Sequence, residues 1–262
     1  GRTQDSVIAG KKLGTQLGRK LQVRSESRTL KNSRLDSGRI DKRLIAELGF
    51  GNSKVFSTTF VEQYNDAILH ISVDASGSMG GDKWRNTMTA VVAICKAASM
   101  ISGLDVVVSF RTTHYAGNRG GQPLVAIGYD SRVDKFRKIE TMWPNLYPGG
   151  STPEGLCYEA IMKDFVPSTR NRDSYFLNFS DGMPMFGDSN FDYYGEEALQ
   201  HTKRQVKEII KKGISVLSYY VGDDNWSRDS EMTDFKTMYG NDAEFVDVSK
   251  VSSLAKTMNN LF

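Results

Sequence analysis

Ala67-Ile68-Leu69-His70-Ile71-Ser72-Val73-Asp74-Ala75-Ser76-Gly77-Ser78-Met79-Gly80 is the stretch on which the fold turns. Residues 67–73 are short, mostly apolar and β-branched, the pattern of a buried strand. A carboxylate and two hydroxyls follow at every second position, Asp74, Ser76 and Ser78, with glycines for a tight turn. A helix is predicted next, capped by Asp82 and carrying Trp84, Met88, Val91, Val92 and Cys95 along one face. Strand, loop and helix in that order put the three oxygens in the crevice beyond the carboxyl end of a strand, where open α/β sheets bind ligands. Hard divalent cations take oxygen ligands, and magnesium favours near-octahedral geometry with some water retained. Asp, Ser and Gly are also ordinary turn residues, so these positions alone fit a plain turn equally well.

Two later stretches shift that balance. Gly149-Gly150-Ser151-Thr152-Pro153-Glu154 offers a flexible turn, a hydroxyl and a proline at an expected first helical position, with Leu156, Cys157, Ala160 and Ile161 as the apolar face behind it. Tyr175-Phe176-Leu177-Asn178-Phe179 reads as another strand, ending in Ser180-Asp181-Gly182-Met183-Pro184. Each would add an oxygen ligand from a loop at the sheet's end.

Asp74-x-Ser76-x-Ser78, Thr152 after a Gly-Gly turn and Asp181-Gly182 after a buried strand together resemble the metal-ion-dependent adhesion site of von Willebrand factor A domains. The likeness runs from about residue 67 to the C-terminus. It implies a Rossmann-like, doubly wound α/β fold with a mostly parallel central sheet. It also implies that Ser76 and Ser78 touch the ion directly, while Asp74, Thr152 and Asp181 bind it directly or through water. The ion would be Mg2+, with Mn2+ or Ca2+ as alternatives, and its last position would be left for a partner's Asp or Glu. Gly77, Met79, Gly150, Ser151, Gly182 and Met183 would form the surface meeting that partner.

Within the family, the chain is most similar to the C-terminal domain of the cobaltochelatase CobT subunit. The features are Gly38-Arg39-Ile40-Asp41 ahead of a short helix, Val55-Phe56 just before the domain, and the Ser180-Asp181-Gly182-x-Pro184 loop. A long helix before the final strands and the ending Leu261-Phe262 add to it. The subgroup implies an AAA+ ATPase ring as partner, in metal insertion or the remodelling of another complex. The Gly149-Gly150-Ser151-Thr152-Pro153 loop is closer to the general family pattern and to the related magnesium-chelatase subunit.

At 262 residues the chain suits one large domain, 67–262, plus a basic, partly helical N-terminal extension, 1–66. No apolar run approaches the ~20 residues of a membrane span, and no signal peptide is visible. Cys95 and Cys157 each fall on the apolar face of a predicted helix and read as buried free thiols, which gives a cytoplasmic expectation. The net charge of +3 is unevenly spread: residues 1–50 hold 12 Lys and Arg against 5 Asp and Glu, and the remainder 22 against 26. A basic extension binds nucleic acid or an acidic surface, or is the solvated face of packed helices. Leu13, Leu17 and Leu21 step by four, and Ile40, Leu44, Ile45 and Leu48 make a second stripe, which favours packing; Gly10, Gly14 and Gly18 weaken the first helix. Aromatic residues do not interleave with these charges, so nucleic acid is the lesser reading.

Residues 55–60 form a β-rich lead-in or an edge strand, 105–110 a second buried strand, and 123–128 a short edge strand. Between the last two, 112–121 is polar and glycine-rich, with His114 read as solvated. A helix is expected at 132–142, ended by Trp143-Pro144. The segment 183–194, with Asp188, Phe191, Asp192, Tyr193 and Tyr194, is partner surface or a plain connection. A helix at 195–212 follows, with Ala198, Thr202, Val206, Ile209 and Ile210 on one face, then a strand at 214–221. Asp223 and Asp224 read as a turn or cap rather than ligands. A helix at 229–239, a strand at 244–248 and a closing helix at 251–262 complete a doubly wound pattern.

Enzyme classes are narrowed by missing strings. There is no Gly-x4-Gly-Lys-Ser/Thr phosphate loop, no Gly-x-Ser-x-Gly elbow around Ser76 or Ser78, and Ser76 stands where an aspartyl-phosphate mechanism wants a second carboxylate. A metal-dependent hydrolase is the alternative reading, because a bound ion can activate water; a scaffold with a lapsed metal site is the third. Hydroxyl ligands donate little charge and leave the ion electrophilic. The expectation is therefore a Mg2+-dependent protein–protein interaction module that captures an outside carboxylate and is not catalytic by itself.

Overall fold

The computed structural model describes residues 2–25, 28–62, 65–115, 121–187, 191–222, 228–241 and 244–245. In chain order its elements are α1 (Arg2–Ser25), β1 (Arg28–Leu35), β2 (Arg39–Ile40), α2 (Ile45–Leu48), β3 (Phe56–Glu62), β4 (Asp66–Asp74), α3 (Asp82–Ala98), β5 (Leu104–Tyr115) and β6 (Gly121–Asp130). There follow α4 (Arg137–Met142), α5 (Glu154–Ile161), β7 (Arg172–Ser180), β8 (Phe186–Gly187), β9 (Asp192–Tyr193), α6 (Gly195–Lys211), β10 (Ser215–Tyr220), α7 (Arg228–Tyr239) and β11 (Glu244–Phe245). Two compact units result: Gly1–Leu21 with Asp66–Phe262, and Gln22–Asn65.

The first unit is built on a six-stranded sheet in the order β11-β10-β7-β4-β5-β6. Every neighbouring pair is parallel except β5 with β6, so the doubly wound, mostly parallel sheet expected from the alternation is what forms. The antiparallel edge is β6, where Pro123 is tolerated because an edge strand has one side free of ladder bonds. After β4 the chain first adds β5 on one side and later β7 on the other, which makes the end of β4 the point where the winding reverses.

Burial on both faces explains the apolar run of β4, since successive side chains alternate across the sheet. Leu69, Ile71 and Val73 join Val106, Val108, Phe110, Leu177 and Phe179 in a core with α3, α1 and Trp143. Phe176 and Tyr220 pack opposite with Tyr158 and Ile161 of α5, Leu199, Val206 and Ile209 of α6, and Phe235 and Met238 of α7. Each such side chain withdrawn from water contributes about 1.5–3 kcal/mol. The two cysteines are free and buried as expected.

The glycines of α1 have a role that propensity alone hides. A Cβ on Gly10 would stand 2.6 Å from the Thr89 carbonyl oxygen, and one on Gly14 2.4 Å from that of Ala93. These positions let the backbone of α1 lie directly on α3, so the residues that weaken the isolated helix are the ones that seat it. Gly14→Val is expected to lower unfolding stability by about 1–3 kcal/mol through overpacking. Urea denaturation checks this, and a variant as stable as wild type would mean that α1 does not need the close approach.

Several boundaries differ from the sequence expectation. β5 continues through Tyr115, so part of the polar 112–121 segment is strand; His114 lies on it, exposed and opposite Gln122. α4 starts later than expected, and Trp143 after it is fully buried, 4.8 Å from the Phe110 ring centre and 5.7 Å from that of Trp84. α3 is preceded by Gly81 at φ 76°, and Asp82, expected as its cap, is its first residue and pairs with Arg85. Likewise Pro153 is the residue before α5 and not its first. Ala160 and Ile210 face solvent, while Glu154 and Tyr158 turn inward on α5. The segment 183–194 contains the short hairpin β8–β9. Asp188, Asp223, Asp224, residues 246–248 and the closing helix at 251–262 lie outside the described residues.

The second unit is a three-stranded antiparallel sheet in the order β1-β3-β2. The β-rich stretch at 55–60 thus belongs to this sheet as β3, not to the edge of the large one. Ile40 is in a strand and Ile45 and Leu48 in a single helical turn, all three about half exposed, so the predicted helical stripe does not form. Asp41 is buried and pairs with Arg43 at 2.9 Å while accepting that residue's N–H at 3.1 Å.

Candidate metal centre

Three loops meet at the carboxyl end of β4, and backbone bonds knit them together. Gly149 N–H donates to the Ala75 carbonyl at 2.8 Å and Gly77 N–H to that of Gly150 at 3.0 Å. Thr152 and Met185 exchange N–H donors at 3.0 and 2.8 Å. Gly150 sits at φ 78°, and a Cβ there would come within 2.4 Å of Thr113 Oγ1, so only glycine suits this crossing. The Ser151 N–H then donates to the same Thr113 hydroxyl at 2.8 Å.

Within this frame the predicted oxygens converge. Asp74 is fully buried; its Oδ1 accepts the Ser76 N–H at 2.8 Å, and its Oδ2 lies 3.3 Å from Thr152 Oγ1. Ser76 Oγ and Ser78 Oγ are 3.0 Å apart, and the Ser78 hydroxyl donates to Asp181 Oδ1 at 2.8 Å. Asp74, Ser76, Ser78, Thr152 and Asp181, spread over more than a hundred positions of chain, thus share one spot. Of the residues expected around it, Gly77 and Gly150 are exposed, and Ser151, Gly182 and Met183 are partly exposed. Met79 differs: its side chain is fully buried in the same core cluster as Val73 and Trp84, so it packs the loop down and does not lie on the surface that would meet a partner.

Four residues of the site were not singled out from the sequence. Ser180 ends β7 beside β4 and donates to Asp74 Oδ2 at 3.1 Å; the parallel register Val73 to Phe179 places it there. Lys83, in the first turn of α3, donates from Nζ to Asp181 Oδ2 at 2.8 Å. Arg111 and Glu154 form an ion pair beneath the loops, both completely buried. Arg111 also donates to Ser72 Oγ at 2.8 Å and stacks over the Tyr158 ring at 5.4 Å. A lone Arg in an apolar strand and a Glu at a helix start were the available signals.

The electrostatics follow from burial. Burial raises the Asp181 carboxyl above its ordinary range and the charge on Asp74 adds to that, against the pull of Lys83 and Ser78. Two acids kept from water at close range favour a cation between them. For Arg111, burial alone would loosen the proton, but Tyr158, Glu154 and Asp74 outweigh it and hold it on. Burial pushes Glu154 up, and the guanidinium it touches opposes that, so the pair supplies its own counter-charge.

Two carboxylates and three hydroxyls form a donor set of hard oxygens suited to magnesium. Among the described residues no three His, Cys, Asp or Glu side chains gather into a metal-binding group, so the hydroxyls are needed for any such site. Nor is any described helix long and apolar enough to cross a membrane.

No protein-family model matches the sequence, and no curated protein matches it. Among solved structures, the chain is similar to the pilus adhesin SpaC from Lactobacillus rhamnosus GG in two crystal structures. The open conformation gives a TM-score of 0.53 at 13% identity over 76% of this chain and 30% of the adhesin. The other gives 0.53 at 12% identity over 90% of this chain and 34% of the adhesin. The chain therefore spans about a third of the adhesin's length, and at such identity the likeness concerns the fold alone.

Proposed function

We propose that this chain is an interaction module of the von Willebrand factor A type, binding a divalent cation and, through it, an acidic residue of a protein partner. The observation that carries the reading is the convergence of Asp74, Ser76, Ser78, Thr152 and Asp181 from three loops at the point where the sheet's winding reverses. Mg2+ fits the set best, with Mn2+ or Ca2+ as substitutes. When bound, such an ion supplies a positive, oxygen-seeking centre that a carboxylate can complete. The chain's own residues hold and orient it: Asp74 and Asp181 provide charge, and the hydroxyls provide neutral oxygens that leave the charge incompletely satisfied.

A partner surface is at hand beside the cluster. Tyr115, whose hydroxyl lies 3.4 Å from Ser151 Oγ, is 53% exposed, and Met185, paired with Thr152, is 59% exposed. These apolar groups suit a partner segment that carries an acid among hydrophobic residues. The chelatase-type likeness of the sequence proposes an AAA+ ATPase ring as that partner, in metal insertion or complex remodelling.

Calorimetric titration of the full chain with Mg2+ tests the reading. Wild type is expected to bind with one-to-one stoichiometry, and the Ser76→Ala, Ser78→Ala double variant to lose at least about tenfold in affinity. Undiminished binding in that variant would place the ion elsewhere.

A further inference from the structure

We propose that Lys83 is a built-in competitor for the cation: its ammonium and a divalent ion contend for the same oxygen of Asp181. This deepens the metal reading above and rests on it. The two acids of the cluster are held differently. Asp74 accepts the Ser76 N–H and faces the Thr152 and Ser180 hydroxyls, all of them neutral groups. Asp181 has Ser78 Oγ on Oδ1 and the charged Lys83 Nζ on Oδ2, each at 2.8 Å, so both of its oxygens are engaged. The Ser78 oxygen is itself a proposed ligand and can stay beside an ion. An ammonium cannot, because it has no lone pair to offer and repels a second cation in a site of low dielectric.

Lys83 is also able to leave. Its side chain is 21% exposed while the Asp181 carboxylate is 1% exposed, and a lysine's four-carbon stem lets the head swing into water. Its position in the first turn of α3, four residues beyond Met79, fixes the stem at the rim of the loop that carries Ser76 and Ser78. With the ammonium in place, one of two buried like charges is neutralised, so the loops keep their arrangement without demanding a metal. With an ion in place, the same charge weakens its hold. Lys83 thus sets the cation concentration at which the module becomes able to capture a carboxylate.

Titration of wild type, Lys83→Met and Lys83→Arg with Mn2+ tests this, alongside melting in chelator and in Mg2+. Lys83→Met is expected to bind Mn2+ about 10- to 100-fold more tightly, to melt lower than wild type in chelator, and to gain more from Mg2+. Lys83→Arg keeps the charge and should stay near wild type. A measurement on the unaltered chain covers the case of a variant that does not fold. Acetylation of Lys83, mapped by peptide mass analysis against Lys138 as internal reference, should rise when Mg2+ is added. Wild-type binding with Lys83→Met no tighter, or Lys83 acetylation indifferent to Mg2+, overturns the competition and leaves the metal reading standing. Silence of all three chains in the titration removes both.

Discussion

Asp74→Asn should bind Mg2+ at least about a hundredfold more weakly than wild type while keeping the fold. Removing groups that merely orient ligands costs about 10–100-fold in metal affinity, and this change removes the charge of a proposed ligand outright. The amide keeps the volume of the carboxylate and one acceptor oxygen for the Ser76 N–H, which is why the loop should hold its shape. Relief from like charge works in the same direction, because the Asp74 charge is one of the two causes that raise the Asp181 carboxyl. Circular dichroism establishes the fold, calorimetry the loss of metal, and pull-down in Mg2+ against chelator the loss of partner. Retention of a Mg2+-dependent partner by Asp74→Asn would contradict the assignment of this carboxylate to the ion.

The largest effect on stability is expected from Arg111→Met. Breaking a fully buried ion pair by removing one member leaves an uncompensated charge and costs about 3–5 kcal/mol, and here Glu154 would be left facing Asp74 with no cation between them. The pair is imperfectly satisfied, since Arg111 Nε and Glu154 Oε2 have no hydrogen-bond partner among the described residues. Arg111→Met with Glu154→Leu should therefore recover most of the loss, as apolar replacement of a buried pair commonly does. Urea denaturation of the two variants at neutral pH decides it. A single variant that loses under about 1 kcal/mol would mean that Glu154 takes up a proton instead, the direction in which its burial already pushes. Glu154 lies two residues after Thr152, so a weakened Mg2+ affinity in Arg111→Met would also tie the pair to the position of the third loop.

The sequence by itself determined the parallel core of the sheet, the order of the described helices that flank it and the five oxygens that meet at the end of β4. Strands buried on both faces must be short apolar runs, helices on a core must show one apolar stripe, and a tight loop that gathers side-chain oxygens must carry them near glycines. Residues 67–73 followed by Asp74, Ser76 and Ser78 satisfy the first and third of these in one stretch, which made them legible without coordinates. What could not be read there depends on neighbours far apart in the chain. Gly10 and Gly14 look only like helix breakers until α3 is laid against them, and Met79 looks like rim until the core closes around it. Ser180 becomes a partner of Asp74 only through the register of β7 on β4, and Lys83 meets Asp181 only because α3 begins beside the end of β7. The tertiary structure alone decided these, because burial and pairing belong to the assembled neighbourhood, whereas periodicity and spacing belong to the chain.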